Sequence, residues 1–171
     1  MKFLLEKAKA GHANDIRCLV NSAYRGDIGW TKETELVGGE RVAVAEIQGY
    51  IDDPDAHLLV NVEKGEVLAC ICIEKKGRDA YIGLFAVAPR LQGLGVGKQV
   101  LSQAERYASE TLSVDKYVMV VVSQREELIS YYERRGYTRL GKTESYPEHL
   151  EVGTPLKRGL MIEYLEKSVK G

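Results

Sequence analysis

No stretch of about 18 consecutive apolar residues, the length a membrane-spanning helix needs, occurs in the chain. The apolar start Met1-Lys2-Phe3-Leu4-Leu5 is cut short by Glu6-Lys7, so neither a spanning helix nor a secretion signal is expected. The cytoplasm is the expected location, with no membrane partner. An excess of one charge is lacking too. The 24 Lys and Arg against 25 Asp and Glu leave a formal net charge of −1, and the basic residues are scattered, so no nucleic-acid partner is expected. Cysteine is scarce and odd in number. Cys70 and Cys72 share one face of an expected strand and Cys18 falls on an expected helix, which reads as small buried hydrophobes. His12, His57 and His149 are isolated in sequence, so neither a metal site nor a catalytic cysteine is expected. There is no internal repeat and no low-complexity tract. What remains is 171 residues with 44% hydrophobic content, enough for one domain with a real core over residues 1–171 and too little for a second.

Against this even background one stretch stands out, Val87-Ala88-Pro89-Arg90-Leu91-Gln92-Gly93-Leu94-Gly95-Val96-Gly97-Lys98. The segment before it, Tyr81 to Val87, is β-branched, aromatic and apolar, and Pro89 forbids further pairing from its own nitrogen, so a strand ends near Ala88. After it, Val96, Val100, Leu101, Ala104, Tyr107 and Ala108 recur on one face of a helix that begins near Gly95. Glycines at 93, 95 and 97 leave the backbone bare of Cβ atoms. The unpaired N–H groups of the first helical turn can then approach a large anion closely, helped by the helix dipole. A diphosphate fits that description.

Two glycine motifs with known phosphate chemistry fail on spacing. A dinucleotide fingerprint counted from Gly93 needs glycine where Lys98 stands, and counted from Gly95 it needs glycine at Val100. A Walker A loop ending in Gly97-Lys98 needs glycine at Gln92 and Ser or Thr at Gln99. The pattern that fits is Q/R-x-x-G-x-G/A, read as Gln92-Gly93-Leu94-Gly95-Val96-Gly97 and preceded by Leu84-Phe85-Ala86-Val87-Ala88-Pro89. This resembles the GNAT superfamily of acyl-CoA-dependent N-acetyltransferases. The resemblance implies acetyl-CoA as cosubstrate, its diphosphate held by Gln92, Gly93, Leu94, Gly95, Val96, Gly97 and Lys98. Its pantetheine arm is expected along the strand at Phe85, Ala86 and Val87. A bare strand-to-helix turn is the alternative for the glycines.

A second match lies downstream, in Glu127-Leu128-Ile129-Ser130-Tyr131-Tyr132-Glu133-Arg134-Arg135-Gly136-Tyr137. Leu128, Ile129 and Tyr132 share a helix face and Gly136 offers a stop. This is similar to the late helix of the family, which ends in a tyrosine four residues before Gly-Phe or Gly-Tyr. Tyr132 holds that position, which implies a general acid for the departing CoA thiolate. The plainer alternative is a core tyrosine with a hydrogen-bonded hydroxyl. Tyr131 is the weaker candidate because its side chain points elsewhere on the helix. Many family members carry Asn seven residues before the tyrosine, and here that position is Arg125. Arg125 is expected either to reach a phosphate or pantetheine carbonyl, or to pair with Glu127 or solvent.

Along the chain, a strand is expected near Lys2 to Ala8, a helix carrying Ile16, Leu19, Val20, Ala23 and Tyr24 as one stripe, and a loop from Arg25 to Lys32. A helix over about 41–50 follows, then strands at His57 to Val62 and Val67 to Glu74 joined by Glu63-Lys64-Gly65-Glu66. After the glycine loop and its helix, Tyr117 to Val122 reads as a central strand covered on both faces. Two final strands, Tyr137 to Leu140 and Leu160 to Leu165, follow the Tyr132 helix. The order β-α-α-β-β-β-α-β-α-β-β is similar to the whole GNAT fold. The expected class is α/β (α+β), with a central mixed twisted sheet of about seven strands, helices on both faces and splayed central parallel strands ending near Val87 and Val122.

The family chemistry is direct attack of a neutral primary amine on the thioester through a tetrahedral intermediate, with an N–H donor for the oxyanion and a proton for the thiolate. By analogy the donor is the Val87 N–H. No carboxylate lies between Tyr81 and Ala88, so the base is open, with Glu74, Glu33 and Glu35 as candidates and a water chain as the alternative. The acceptor side is expected in the two irregular segments 24–40 and 143–157, where Trp30, Glu33 and Tyr146 are the principal candidates and Asp27, Glu35 and His149 accompany them. A polyamine, an amino acid, an antibiotic-like amine and a protein amine all remain open as acceptors. Two other classes compete: an acyl-CoA-binding sensor without efficient catalysis, and a phosphate binder unrelated to CoA. Members of the family often form homodimers, and nothing in the sequence specifies an interface.

Overall fold

The computed structural model describes residues 4–25, 37–38, 43–145, 154–155 and 161–169. Strand β1 (Glu6–Lys7) leads into helix α1 (Ala13–Arg25), then β2 (Val37–Gly38) and α2 (Val44–Asp52). Three strands follow as a meander, β3 (Ala56–Glu63), β4 (Glu66–Lys76) and β5 (Asp79–Val87). Beyond the glycine loop come α3 (Val96–Thr111), β6 (Lys116–Val122), α4 (Glu126–Glu133), β7 (Thr138–Ser145), β8 (Thr154–Pro155) and β9 (Met161–Ser168). One seven-stranded sheet runs in the order β1-β3-β4-β5-β6-β9-β7, and β2 pairs with β8 in a second, two-stranded one.

The expected elements are present with shifted ends. The first strand shrinks to Glu6–Lys7, and the last runs on to Ser168. The β2–β8 pair, Val37 against Pro155 and Gly38 against Thr154, had no signal in the sequence because two residues carry no periodicity. It ties together the two irregular segments where acceptor recognition was expected.

The core lies where the meander is sandwiched. The seven consecutive residues Val67–Ile73 of β4 are buried, as a strand covered on both faces requires. α1 and α3 both pack over β4 and β5, so they take opposite faces of the sheet. α3 lies on the face that carries His57, whose Nδ1 is 3.1 Å from the Tyr107 hydroxyl. Burial, with the charge of Lys7 adding to it, holds the His57 imidazole below its ordinary value. In the pH window below the ordinary value of about 6.5 the unfolded chain binds a proton that the folded chain resists, so stability falls as pH drops. His57→Gln is expected to flatten the decline of the thermal midpoint between about pH 7 and pH 5. Parallel slopes for variant and wild type would contradict it.

All ladders are antiparallel except β5 with β6. That pair is registered only at Asp79↔Lys116, Ala80↔Tyr117 and Tyr81↔Val118. From Ile82 and Met119 onward the two strands diverge, while β6 stays paired with β9 along its whole length, Lys116↔Ser168 to Val122↔Ile162. The expected splay is therefore present, a slot that opens toward Val87 and Val122. Its closed end is clasped by Arg78, whose Nη2 donates to Asp115 Oδ1 at 2.9 Å, while the Asp115 N–H donates to the Arg78 carbonyl at 2.7 Å.

Candidate active site

The open end of the slot faces a cleft of about 240 Å³. Its walls are the end of β5, the glycine loop, the first turn of α3 and one side of α4. Of the residues singled out by sequence, Phe85, Ala86, Val87, Gln92, Gly93, Gly95, Gly97, Lys98, Arg125 and Tyr132 line it. The Leu94 side chain is 67% exposed and Val96 is buried in the core, so only their backbone can serve an occupant of the cleft. Trp30, Glu33 and Tyr146, together with Asp27, Glu35 and His149, lie outside the described residues. Glu74 is the ladder partner of Tyr81, six residues along β5 from Val87, or about 20 Å at strand rise.

The loop is shaped by its glycines. Gly93 and Gly95 have φ of +82° and +81°, a region that costs an L-residue about 1–2 kcal/mol. Gly95 caps α3 without any side-chain hydrogen bond, and no acidic residue occupies the first turn. The N–H groups at the start of α3 are thus left to whatever enters the cleft. At Gly97 the demand is steric, since a Cβ there would sit 2.8 Å from the Tyr131 hydroxyl oxygen and 3.6 Å from Phe85 Cζ. Gln92 has a role of its own. Its Nε2 donates to the Val87 carbonyl at 3.1 Å, which fastens the loop to the strand.

Strand register fixes the direction of Val87. It pairs with Ala69, and the Ala88 N–H donates to the Leu68 carbonyl at 2.9 Å. Val87 and Ala69 therefore form a non-hydrogen-bonded pair, in which the Val87 N–H points away from β4 toward the side from which β6 has diverged.

Opposite stands α4. Tyr132 is 6% exposed, with its ring centroid 6.5 Å from Phe85, 5.4 Å from Tyr131 and 6.0 Å from Tyr137. Tyr137 anchors this aromatic group, because its hydroxyl donates to Glu105 Oε2 at 2.8 Å while Lys167 Nζ donates to Glu105 Oε1 at 2.9 Å. Burial, and then the neighbouring Glu105 carboxylate, pushes the Tyr137 phenol far up, so it stays a donor. Tyr131 is held differently. The Arg135 guanidinium lies 3.5 Å from its ring centroid and donates through Nη1 to its carbonyl at 2.8 Å. Burial raises the Tyr131 phenol, against the opposing charge of Arg135.

The cleft is cationic. Lys98, Arg125 and Arg135 line it and, among the described residues, no carboxylate does, which suits an anionic occupant. Arg135 and Leu128 were not anticipated. The available signal was the four-residue spacing from Tyr131 to Arg135, which places both on one helix face. Arg125 is 2% exposed, its Nε 3.6 Å from Glu127 Oε1, and its carbonyl accepts from the Leu128 and Ile129 N–H groups to start α4. Arg125→Gln is expected to weaken CoA binding about tenfold, or about 1.4 kcal/mol. The salt dependence of binding should shrink with it. Isothermal titration at two ionic strengths checks both, and an unchanged Kd would assign Arg125 to the scaffold.

A glycine-shaped loop at an uncapped helix start, beside a strand that has lost its parallel neighbour, is the arrangement expected from the GNAT resemblance. The Acetyltransferase (GNAT) family model matches residues 27–137, and the chain belongs to that family. No curated protein sequence matches it. Among solved structures, spermidine N-acetyltransferase from Vibrio cholerae in complex with CoA and spermine is similar over 99% of this chain and 96% of its own, with TM-score 0.73 and 15% identity. A GNAT-family acetyltransferase from Streptococcus pneumoniae matches over 98% and 99% of the two chains, with TM-score 0.68 and 13% identity. A Streptococcus mutans protein matches over 97% and 99%, with TM-score 0.75 and 13% identity. Among the described residues no helix is long and apolar enough to cross a membrane.

Proposed function

We propose that the protein transfers an acetyl group from acetyl-CoA to a primary amine. The observation that carries this reading is the continuity of the cleft. Its lining joins the uncapped start of α3 and the cationic side chains Lys98, Arg125 and Arg135 to Phe85, Ala86 and Val87, the stretch of β5 that lies beyond its last registered pair with β6. The bare Gly97 leaves room for a diphosphate close to the helix axis. Phe85 and Val87 border the path a pantetheine arm takes toward the slot.

In this reading the amine lone pair attacks the thioester carbon and the Val87 N–H stabilises the oxygen that becomes negative. As the carbon–sulfur bond breaks, the Tyr132 hydroxyl gives its proton to the sulfur. The ammonium proton leaves through water, since no carboxylate among the described residues lines the cleft. Tyr132 is preferred to Tyr131 because it sits beside Phe85, whereas the Tyr131 hydroxyl lies over Gly97 at the cradle. Polyamines such as spermidine head the acceptor screen, on the likeness of fold to the Vibrio cholerae enzyme.

The test is thermal stability with millimolar acetyl-CoA, CoA, ATP or NAD, because a ligand that binds only the folded state raises the midpoint. A rise of several degrees confined to acetyl-CoA and CoA is expected, followed by release of free thiol with an amine of the panel. No rise with either would overturn the proposal. The lack of a carboxylate among the described residues that line the cleft favours a second reading, an acyl-CoA sensor, which predicts the same rise and no transfer to any amine.

A further inference from the structure

β5 carries a defect beside the cleft. Leu84 has φ of +46°, a conformation that costs a non-glycine residue about 1–2 kcal/mol. The other non-glycine residues with positive φ among those described, Lys64 and Ser113, lie in connections between elements, whereas Leu84 is inside a strand. The ladder to β4 shifts at the same place, from Cys70↔Ala86 to Cys72↔Gly83, so that two steps on β4 face three on β5. This is a bulge, and a bulge turns one carbonyl out of the ladder. The Leu84 carbonyl is met by the thiol of Cys70, which donates to it at 3.1 Å from a side chain with 0% exposure. A buried carbonyl without such a donor would carry a desolvation penalty.

We propose that Cys70 is a positioning residue for the acyl-transfer site, its thiol fixing the Leu84–Phe85 peptide and thereby the edge of β5 on which the thioester rests. The step from thiol to site is geometric. A trans peptide is planar, with its C=O and N–H on opposite sides, so a carbonyl held on Cys70 turns the Phe85 N–H away from Cys70. It also fixes the side on which the Phe85 ring emerges, next to Gly97 and Tyr132. Without the thiol, the strained Leu84 relaxes toward ordinary strand geometry. Because side chains alternate along a strand, that relaxation swings Phe85 and Val87 out of register with Tyr132. The inference rests on the acetyltransferase reading above.

Cys72 supplies the control. It is equally buried on the same strand face, 3% exposed, so Cys72→Ala removes the same volume without touching the Leu84 carbonyl. Amide 1H–15N spectra with and without acetyl-CoA, together with CoA affinity, are measured for wild type, Cys70→Ala, Cys70→Ser and Cys72→Ala. Acetyl-CoA is expected to shift the Phe85 and Val87 amides in wild type, Cys70→Ser and Cys72→Ala, and to shift them less than half as far in Cys70→Ala. CoA affinity should stay within about threefold throughout, because the N–H groups at the start of α3 and the cationic side chains are unchanged, while acetyl transfer in Cys70→Ala drops about tenfold in kcat. If Cys70→Ala does not fold, Cys70→Val fills the space without a donor and carries the same expectation. Wild type that binds no acetyl-CoA overturns the acetyltransferase reading. Wild type that binds it while Cys70→Ala behaves identically, or while Cys70→Ser is as impaired as Cys70→Ala, overturns the role of Cys70 alone.

Discussion

Tyr132→Phe is expected to lower kcat by on the order of a hundredfold or more while leaving the Kd for acetyl-CoA within about threefold, the range for losing a general acid without losing a binding surface. The phenyl ring keeps the edge contacts to Tyr131 and Tyr137, so the fold should melt within a few degrees of wild type. The split between kcat and Kd is the informative part. A tyrosine that only packs would show neither change, and one that only binds would show its loss in Kd. Tyr131→Phe serves as the comparison, because its hydroxyl lies over Gly97 and its removal should act on cosubstrate affinity. Steady-state kinetics with isothermal titration on both variants decides between them. A larger loss of kcat in Tyr131→Phe would exchange the two assignments.

Gly97→Val is expected to raise the Kd for CoA about a hundredfold. The first added carbon already falls 2.8 Å from the Tyr131 hydroxyl oxygen, so Tyr131 must shift, and the valine methyls crowd the N–H groups at the start of α3. A hundredfold in affinity corresponds to about 2.7 kcal/mol, here the cost of displacing the added side chain and Tyr131 from the ligand's place. The conformation itself is permissive, since Gly97 is not among the glycines with positive φ. The protein should therefore fold, and the loss should appear in binding. Retained affinity would mean that the diphosphate lies elsewhere.

The glycine loop and the Tyr132 helix could be found in the sequence because each couples a change of period to a chemical demand. Strand alternation gives way to helical spacing at Gly95, and Gly136 stops α4 where its φ of +98° requires a glycine. Other parts of the site depend on contacts between distant residues. The bulge at Leu84 arises from how β5 meets β4, and nothing about a leucine in an apolar strand announces a left-handed backbone. Arg125 is a candidate from its spacing to Tyr132, but its burial shows only in the folded chain. Arg135 looks like one of a run of solvated charges, and its ring contact with Tyr131 appears only once the turn after α4 folds back. The β2–β8 pair is too short to leave a pattern, although it joins the two segments from which acceptor residues were expected.

The three rungs between β5 and β6 make the sheet mechanically two leaves bound by a short spine. One leaf is β1-β3-β4-β5, the other β6-β9-β7, and the spine is reinforced at the closed end by Arg78 and Asp115. A second fastening crosses from α3, where the Glu105 carbonyl accepts from the Tyr117 hydroxyl and its carboxylate from Tyr137 and Lys167. Among the described residues, no ladder pair joins the two strands at the far margin of the slot, beside Val87 and Val122. An extended molecule laid along that margin acts as a missing strand, converting two leaves that can open separately into one cooperative unit. Amide hydrogen exchange along β5 and β6 should then slow together on ligand binding, although the two strands contact each other at only one end.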